Sequence, residues 1–211
     1  MINTLIFDYN QVLINDKQTH IKAYLKTFQK YGLDLSKEEI DSLMHKTHKE
    51  KLVILNHTYN LTLDEKFTKD KEDLYIKLAK EKDLFFPGTI EAIEKLSEKY
   101  TLGVVSGTCK KQLYSVIPKK LEEKFEAIVN IEEYIEPKPS PRGLEVCMEK
   151  LRKKPSECAY VGDSAPDMTA AIAAGCKPIG IPTGNFTKEQ LKEAGARIVI
   201  NSIKELTELK L

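Results

Sequence analysis

Five polar side chains of this 211-residue sequence are placed where they could act together in one site. Asp8 follows the apolar run LIF, Ser106 follows LGVV and Asp163 follows AYVG. Lys138 lies in the stretch EPKPSP, and Asp167 comes four residues after Asp163. Taken singly, Asp8, Ser106 and Lys138 are ordinary turn, cap or loop residues, and only the stretch GDSAPD, with Asp163 and Asp167, favours a functional role by itself. Their chemistry depends on whether the fold brings them together.

Six short apolar stretches predict the strands that would position these side chains. Several are nearly continuous β-branched runs, which is typical of strands covered on both faces. Helical patterns such as 89–100 and 139–153 separate them, so the sequence predicts an α/β, Rossmann-like parallel sheet with helices on both faces. Ligands of such sheets collect at the carboxyl ends of the strands. The predicted strands are residues 2–7, 101–106, 127–131, 158–162, 177–181 and 196–200.

Residues 16–86 interrupt this alternation and predict about four helices. Asp16 is the expected N-cap of the first helix and Gly32 its stop, while SKEE at 36–39 and TLDE at 62–65 have the capping-box pattern. We therefore expect a core domain of residues 1–15 and 87–211, with a helical cap domain of residues 16–86 inserted after the first strand.

Together, the motifs resemble those of the haloacid dehalogenase superfamily. Within it they are similar to the phosphoglycolate-phosphatase-like group, in which a helical cap follows the first motif. The stretches PGTIEAIEKLSEKYTLGVVSG and YVGDSAPDMTAAIAAGCKPIGIPTG resemble the family most clearly. The resemblance covers essentially the whole chain apart from the details of the cap.

The resemblance implies a Mg²⁺-dependent phosphatase that acts on a small phosphorylated metabolite. Asp8 matches the family's nucleophile, which forms an aspartyl-phosphate that water hydrolyses. Ser106 and the backbone N–H of Gly107 would bind the phosphoryl oxygens, and Lys138 would neutralise their charge.

The resemblance also implies the ligands of the metal ion. They are Asp8, the backbone carbonyl of Asn10 and Asp163. Asp167 would help to hold Lys138 or the metal's surroundings. The cap would close over the sheet's end, with hinges near residues 14–16 and 85–88.

Asn10 departs from the family pattern, which has Asp two residues after the nucleophile. That Asp protonates the leaving oxygen and later activates water, whereas an amide does neither at neutral pH. We therefore expect turnover to be slowed by roughly 10²- to 10⁴-fold. Gln11 stands where the family usually has glycine, which predicts a reshaped loop.

Two alternatives stay open. The first is a catalytically impaired phospholigand-binding protein on the same fold. The second is another reaction of the superfamily, such as carbon–halogen or carbon–phosphorus cleavage. A carbon–phosphorus enzyme needs a suitably placed cap lysine, and residues 16–86 contain 14 lysines. All four histidines also lie there, and His45 and His48 are three apart, but two such residues are too few to predict a metal site.

The composition excludes several other classes of protein. With 33 basic and 32 acidic residues, the net charge is +1, which predicts neither a nucleic-acid nor an anionic-membrane partner. The N-terminus lacks a signal-sequence pattern, and the four cysteines lack metal-finger spacing. We expect reduced thiols, several in the core, in a cytoplasmic protein that is a monomer or a weak dimer.

Overall fold

The structure, a computed structural model, describes residues 1–43, 46 and 48–211. The chain divides into two compact units. One contains residues 1–15 and 84–211, and the other contains residues 16–83. The sequence predicts the return to the core after residue 86, and the division in the structure falls after residue 83.

The first unit is built on a parallel sheet, and each predicted strand contains one observed strand. Apolar β-branched runs form these strands because both faces of the sheet are buried. The α/β, Rossmann-like fold class is therefore confirmed. The strands are β1 (Thr4–Phe7), β2 (Thr101–Val105), β3 (Ala127–Val129), β4 (Cys158–Gly162), β5 (Lys177–Gly180) and β6 (Ile198–Val199).

The order of the strands places β1 at the centre of the sheet. The order is β3-β2-β1-β4-β5-β6, and β1 pairs with both β2 and β4. The chain builds outward on one side of β1 and then crosses to the other side at β4. This reversal creates a crevice at the carboxyl end of β1, the place where open α/β sheets bind ligands.

Helices connect these strands and complete the core. The predicted helices at 89–100 and 139–153 are observed with shorter bounds. A cluster of buried side chains from β1 to β4 and from the helices at Arg142–Leu151 and Ala165–Ala173 fills one part of the core. Its members include Ile6, Val105, Leu144 and Tyr160. The helices are α5 (Thr89–Ser97), α6 (Lys110–Val116), α7 (Lys119–Glu122), α8 (Arg142–Leu151), α9 (Ala165–Ala173) and α10 (Lys188–Glu193).

The second unit is helical over its described residues, with its own apolar cluster that includes Ile21, Phe28, Leu55 and Phe67. Its four helices are α1 (Lys17–Lys30), α2 (Lys37–Leu43), α3 (His48–Tyr59) and α4 (Glu65–Ala79). Whether His45 and His48 share a helix face, as their spacing allows, lies outside the described residues, because residue 45 and the side chain of residue 48 are not described.

The two passages of chain between the units lie side by side within the first unit. Ile14 and Phe85 form an antiparallel bridge, and the Asn15 N–H donates to the Leu84 carbonyl at 2.7 Å. All four cysteines are free thiols, three of them buried. Within the described part of the chain, every helix is too short or too polar to cross a lipid bilayer.

Candidate active site

Backbone pairing carries Asp8 and Ser106 to the carboxyl edge of the sheet. The Asp8 N–H donates to the Val161 carbonyl at 2.9 Å, and the Ser106 N–H donates to the Val129 carbonyl at 2.9 Å. Each residue therefore extends the hydrogen-bonded pairing of its strand by one residue. Both are buried, and both lie beside the crevice at β1.

Lys138 brings two of the predicted carboxylates together. Its Nζ lies 3.0 Å from Asp8 Oδ1 and 2.7 Å from Asp167 Oδ1. It also donates to the hydroxyl of Tyr160 at 2.9 Å, and this hydroxyl donates to Asp167 Oδ1 at 3.0 Å. Burial favours a neutral amine, but the two carboxylates more than offset this and raise the pKa of Lys138 well above its usual value. Lys138 is therefore a fixed cation beside Asp8.

Asp167 lies in the first turn of α9. Ser164 is the N-cap of this helix, and the Ser164 N–H donates to Asp167 Oδ2 at 3.0 Å. The Ser164 hydroxyl contacts the same oxygen. Gly162 permits this approach, because a Cβ there would lie 2.3 Å from Asp167 Cβ. Since one Asp167 oxygen faces Lys138 and Tyr160 and the other faces Ser164, its geometry suits holding the lysine.

Asp8, Asp163 and Asp167 form a cluster that could hold a metal ion, with one oxygen of each within 4.8 Å of the others. Burial raises the pKa of Asp8 to about 6 against the opposing charge of Lys138. Burial, and then the neighbouring Asp167 and Asp8, raise the pKa of Asp163 well above its usual value. When all three carboxylates are ionised, they carry two negative charges beyond the one that Lys138 balances, and oxygen donors suit a hard divalent cation. The donor set therefore fits Mg²⁺.

Asn10 lies in the turn after β1 and is held by two hydroxyl groups. Thr108 Oγ1 donates to Asn10 Oδ1 at 2.6 Å, and Ser106 Oγ donates to the same atom at 3.3 Å. The Thr108 N–H in turn donates to Ser106 Oγ at 3.1 Å. Gly107, between them, is exposed at the same turn. The structure thus brings Asn10 and Ser106 together.

Gln11 adopts the backbone conformation that a glycine would favour. Its φ is +59°, in the left-handed region that non-glycine residues enter at a cost. The hydroxyl of Thr183 donates to its carbonyl. The turn therefore has a left-handed residue at position 11 although this residue carries a glutamine side chain.

Three residues of the site escape prediction from the sequence. Thr108 follows Ser106 by two residues, and its position in the same short turn is the only available signal. Tyr160 appears in the sequence as one more apolar strand residue, although a buried tyrosine hydroxyl needs a partner. Gly184 lies against Asp163, since a Cβ on it would be 1.8 Å from Asp163 Oδ2. In the sequence, a glycine after a strand most often indicates only a turn.

The fold and the site define a class of protein: a Rossmann-like domain with a buried aspartate after the central strand, beside a fixed lysine and two further carboxylates. A sequence profile of the haloacid dehalogenase-like hydrolases matches residues 5–181. The chain belongs to this family, which confirms the resemblance, the fold class and the assignment as a hydrolase.

Individual relatives agree with this assignment. The chain is 25% identical to the pyrophosphatase PpaX of Listeria innocua over an alignment of 224 residues, gaps included. This alignment covers 97% of this chain and 94% of the relative. A mutant of CbbY from Rhodobacter sphaeroides, solved with xylulose-1,5-bisphosphate, has a TM-score of 0.83 at 24% identity, covering 98% of this chain and 96% of that one. The β-phosphoglucomutase of Clostridium difficile has a TM-score of 0.79 at 22% identity, covering 98% and 93%. The two structures are similar to this chain in fold.

Proposed function

We propose that this chain is a Mg²⁺-dependent phosphatase that acts on a small phosphorylated metabolite through an aspartyl-phosphate on Asp8. The observation that carries the proposal is the cluster of Asp8, Lys138, Asp163 and Asp167 beside the central strand. A nucleophilic carboxylate approaches a phosphate dianion only where positive charge offsets the repulsion, and this cluster supplies one fixed cation and a fitting cation site.

Asp8 is the nucleophile of the first step. Its oxygen attacks phosphorus, and the bond between phosphorus and the leaving oxygen breaks. The Tyr9 N–H donates to Asp8 Oδ1 at 2.8 Å, and Lys138 contacts the same oxygen. These two donors orient the carboxylate. In the second step water attacks the phosphorus of the aspartyl-phosphate, which releases phosphate and restores Asp8.

The metal ligands in this proposal are Asp8, the Asn10 carbonyl and Asp163. Bound Mg²⁺ would supply positive charge against the transferring phosphoryl group. Asp167 belongs to the same carboxylate cluster and holds Lys138. Ser106 Oγ and the Gly107 N–H bind phosphoryl oxygens at the opposite side of the crevice.

Asn10 limits the rate in this account. The amide neither gives a proton to the leaving oxygen nor takes one from the attacking water. Both protons must then be exchanged with solvent, which costs roughly 10²- to 10⁴-fold in rate. Backbone coordination by Asn10 does not depend on its side chain, so the binding of Mg²⁺ and phosphate survives.

The relatives support a phosphorylated substrate. The names of those described above include a pyrophosphatase, a phosphoglucomutase and a complex with a sugar bisphosphate. A second candidate function, binding of a phosphorylated ligand without turnover, is favoured by the single observation of an amide at position 10.

Hydrolysis of p-nitrophenyl phosphate with and without Mg²⁺ tests the proposal. We expect slow release of p-nitrophenol that depends on Mg²⁺ and that Asp8→Ala abolishes. Asp34→Ala, at an exposed position of the helical unit, is the control and should keep the rate. Release that continues in Asp8→Ala would contradict the role of Asp8. Binding of Mg²⁺ and phosphate without any release would favour the binding protein.

A further inference from the structure

The loop that follows β5, residues 181–184, lies directly against the carboxylate of Asp163. A Cβ atom placed on Gly184 would lie 1.8 Å from Asp163 Oδ2 and 2.9 Å from its Cγ. Contacts below 3.0 Å essentially never occur for real Cβ atoms. The Asp163 carboxylate therefore occupies the space that any side chain at position 184 would need.

The lack of room for a side chain, and not the backbone conformation, explains why residue 184 is a glycine. The glycines with positive φ are Gly32, Gly88, Gly175 and Gly195. Gly184 is not one of them, so its backbone is open to other residue types. The close approach to Asp163 is the feature that only glycine permits.

The same loop is bonded to the turn that follows β1. The Thr183 hydroxyl donates to the carbonyl of Gln11, the residue after Asn10. At its start, the Ile181 N–H donates to the Gly162 carbonyl at 2.9 Å, next to Asp163. The loop thus contacts both chain segments that carry the proposed metal ligands.

We propose that Thr183 and Gly184 are positioning residues that set the Asp163 carboxylate relative to the Asn10 carbonyl. Gly184 leaves the room in which Asp163 lies, and Thr183 fixes the turn that presents Asn10. The proposal rests on the proposed function for its consequence, which is Mg²⁺ affinity. Residues that orient metal ligands typically change affinity by about 10- to 100-fold when replaced.

A double-mutant comparison tests the role of Gly184. Gly184→Ala should lower the midpoint of urea unfolding without metal, because the new methyl group displaces the Asp163 carboxylate. In the Asp163→Ala background the carboxylate is gone, and the remaining contact, with the Cβ at position 163, is 3.3 Å, a tight contact that a shift of a few tenths of an ångström relieves. Gly184→Ala should therefore lower the midpoint by less than half as much there. An equal loss in both backgrounds would overturn the proposal.

Calorimetric titration with Mg²⁺ alone tests the consequence. We expect Gly184→Ala to weaken Mg²⁺ binding about 10-fold or more. Thr183→Val, which removes the hydroxyl that donates to the Gln11 carbonyl, should also weaken Mg²⁺ binding. Thr183→Ser, which keeps that hydroxyl, should bind Mg²⁺ as tightly as the unmodified chain. Unchanged affinity in Gly184→Ala and Thr183→Val would overturn the proposal. Absence of Mg²⁺ binding by the unmodified chain would contradict the proposed function, and the metal-free comparison would still decide whether Gly184 positions Asp163.

Discussion

At the scale of single residues, the charge and the position of the Lys138 ammonium depend on three neighbouring side chains. Asp8 and Asp167 balance its charge, and the Tyr160 hydroxyl joins it to Asp167. All of these groups are largely buried, so each unmade bond carries a large desolvation cost. The orientation of the cation at Asp8, the proposed nucleophile, therefore depends on a tyrosine that the sequence shows only as a strand residue.

Replacing Tyr160 by Phe should therefore lower both stability and activity. We expect a loss of about 1.5–3 kcal/mol in the free energy of unfolding, the usual range for a hydrogen bond to a charged group. Tyr134→Phe is the matched control, because Tyr134 donates at 3.0 Å to a neutral acceptor, the Ser106 carbonyl. It should cost only about 1 kcal/mol. Urea denaturation measures both, and equal losses would show that the charged partners of Tyr160 add nothing.

His20 is a second residue whose chemistry depends on burial. Its Nδ1 lies 2.8 Å from Lys71 Nζ, and its Nε2 lies 3.1 Å from Asp16 Oδ2, which also accepts from the Tyr75 hydroxyl at 2.7 Å. Burial lowers the pKa of His20 to about 4, and the positive charge of Lys71 acts in the same direction. The folded state therefore favours a neutral imidazole.

The pH dependence of stability follows from this lowered pKa. A neutral His20 stabilises the fold fully above its unfolded pKa of about 6.5, and this contribution is lost as the pH falls toward 4. Between pH 7 and pH 4.5 we expect the unmodified chain to lose about 2–3 kcal/mol more than His20→Gln. His57→Gln, at an exposed position of α3, is the control. Parallel pH profiles for the unmodified chain and His20→Gln would contradict the expectation.

At the scale of elements, the helix starts show how well the local sequence predicts capping residues. The capping box at 36–39 is confirmed, since the Ser36 N–H bonds to Glu39 Oε2 at 2.8 Å and the Glu39 N–H bonds to Ser36 Oγ at 3.1 Å. The box at 62–65 is wrong: α4 begins at Glu65, and Asp64 caps it through the Lys66 N–H. Two capping residues two positions apart compete there, and local pattern does not decide between them.

Asp16 illustrates the same limit. It occupies the N-cap position of α1, as predicted, but its side chain makes no capping bond. The carboxylate instead accepts from Tyr75. The N-cap position of Asp16 follows from the local sequence, whereas the partner of its buried carboxylate lies on a helix almost 60 residues away.

The end of α8 offers a test of backbone strain. Arg152 follows the helix with φ 54° and ψ 43°, a left-handed conformation, and its side chain is exposed. Glycine adopts this conformation without a Cβ penalty. Arg152→Gly should raise the free energy of unfolding by about 0.5–1 kcal/mol, whereas Arg152→Ala should give no gain. A gain in Arg152→Ala as well would point to the lost guanidinium and not to backbone strain.

At the scale of the whole molecule, the sequence predicts the elements better than their arrangement. The six strands and the helical segment follow from apolar runs and their spacing. The polar residues at the strand ends indicate candidate site residues, and the family resemblance supplies their proposed roles. The order of the strands and the pairing of Lys138 with Tyr160 depend on contacts between distant segments. Gly184 escapes prediction because its role is visible only when the space beside Asp163 is known.

The chain is a haloacid dehalogenase-like hydrolase, and in the proposed function one proton-transferring group is replaced. In that proposal the strand ends, the carboxylate cluster and the fixed lysine serve phosphoryl transfer, and Asn10 lacks the acid–base chemistry. Thr108 and Ser106 already donate to its side-chain oxygen. A carboxylate at position 10 would keep these two bonds.

The measurement that tests this account most directly compares Mg²⁺-dependent hydrolysis of one phosphomonoester by the unmodified chain and by Asn10→Asp. Asn60→Asp, the same change at an exposed position outside the predicted hinges, controls for the added charge. The account predicts that Asn10→Asp raises kcat by roughly 10²-fold or more and that Asn60→Asp leaves it unchanged. An unchanged or lower rate in Asn10→Asp would contradict the claim that a missing acid–base group limits this enzyme.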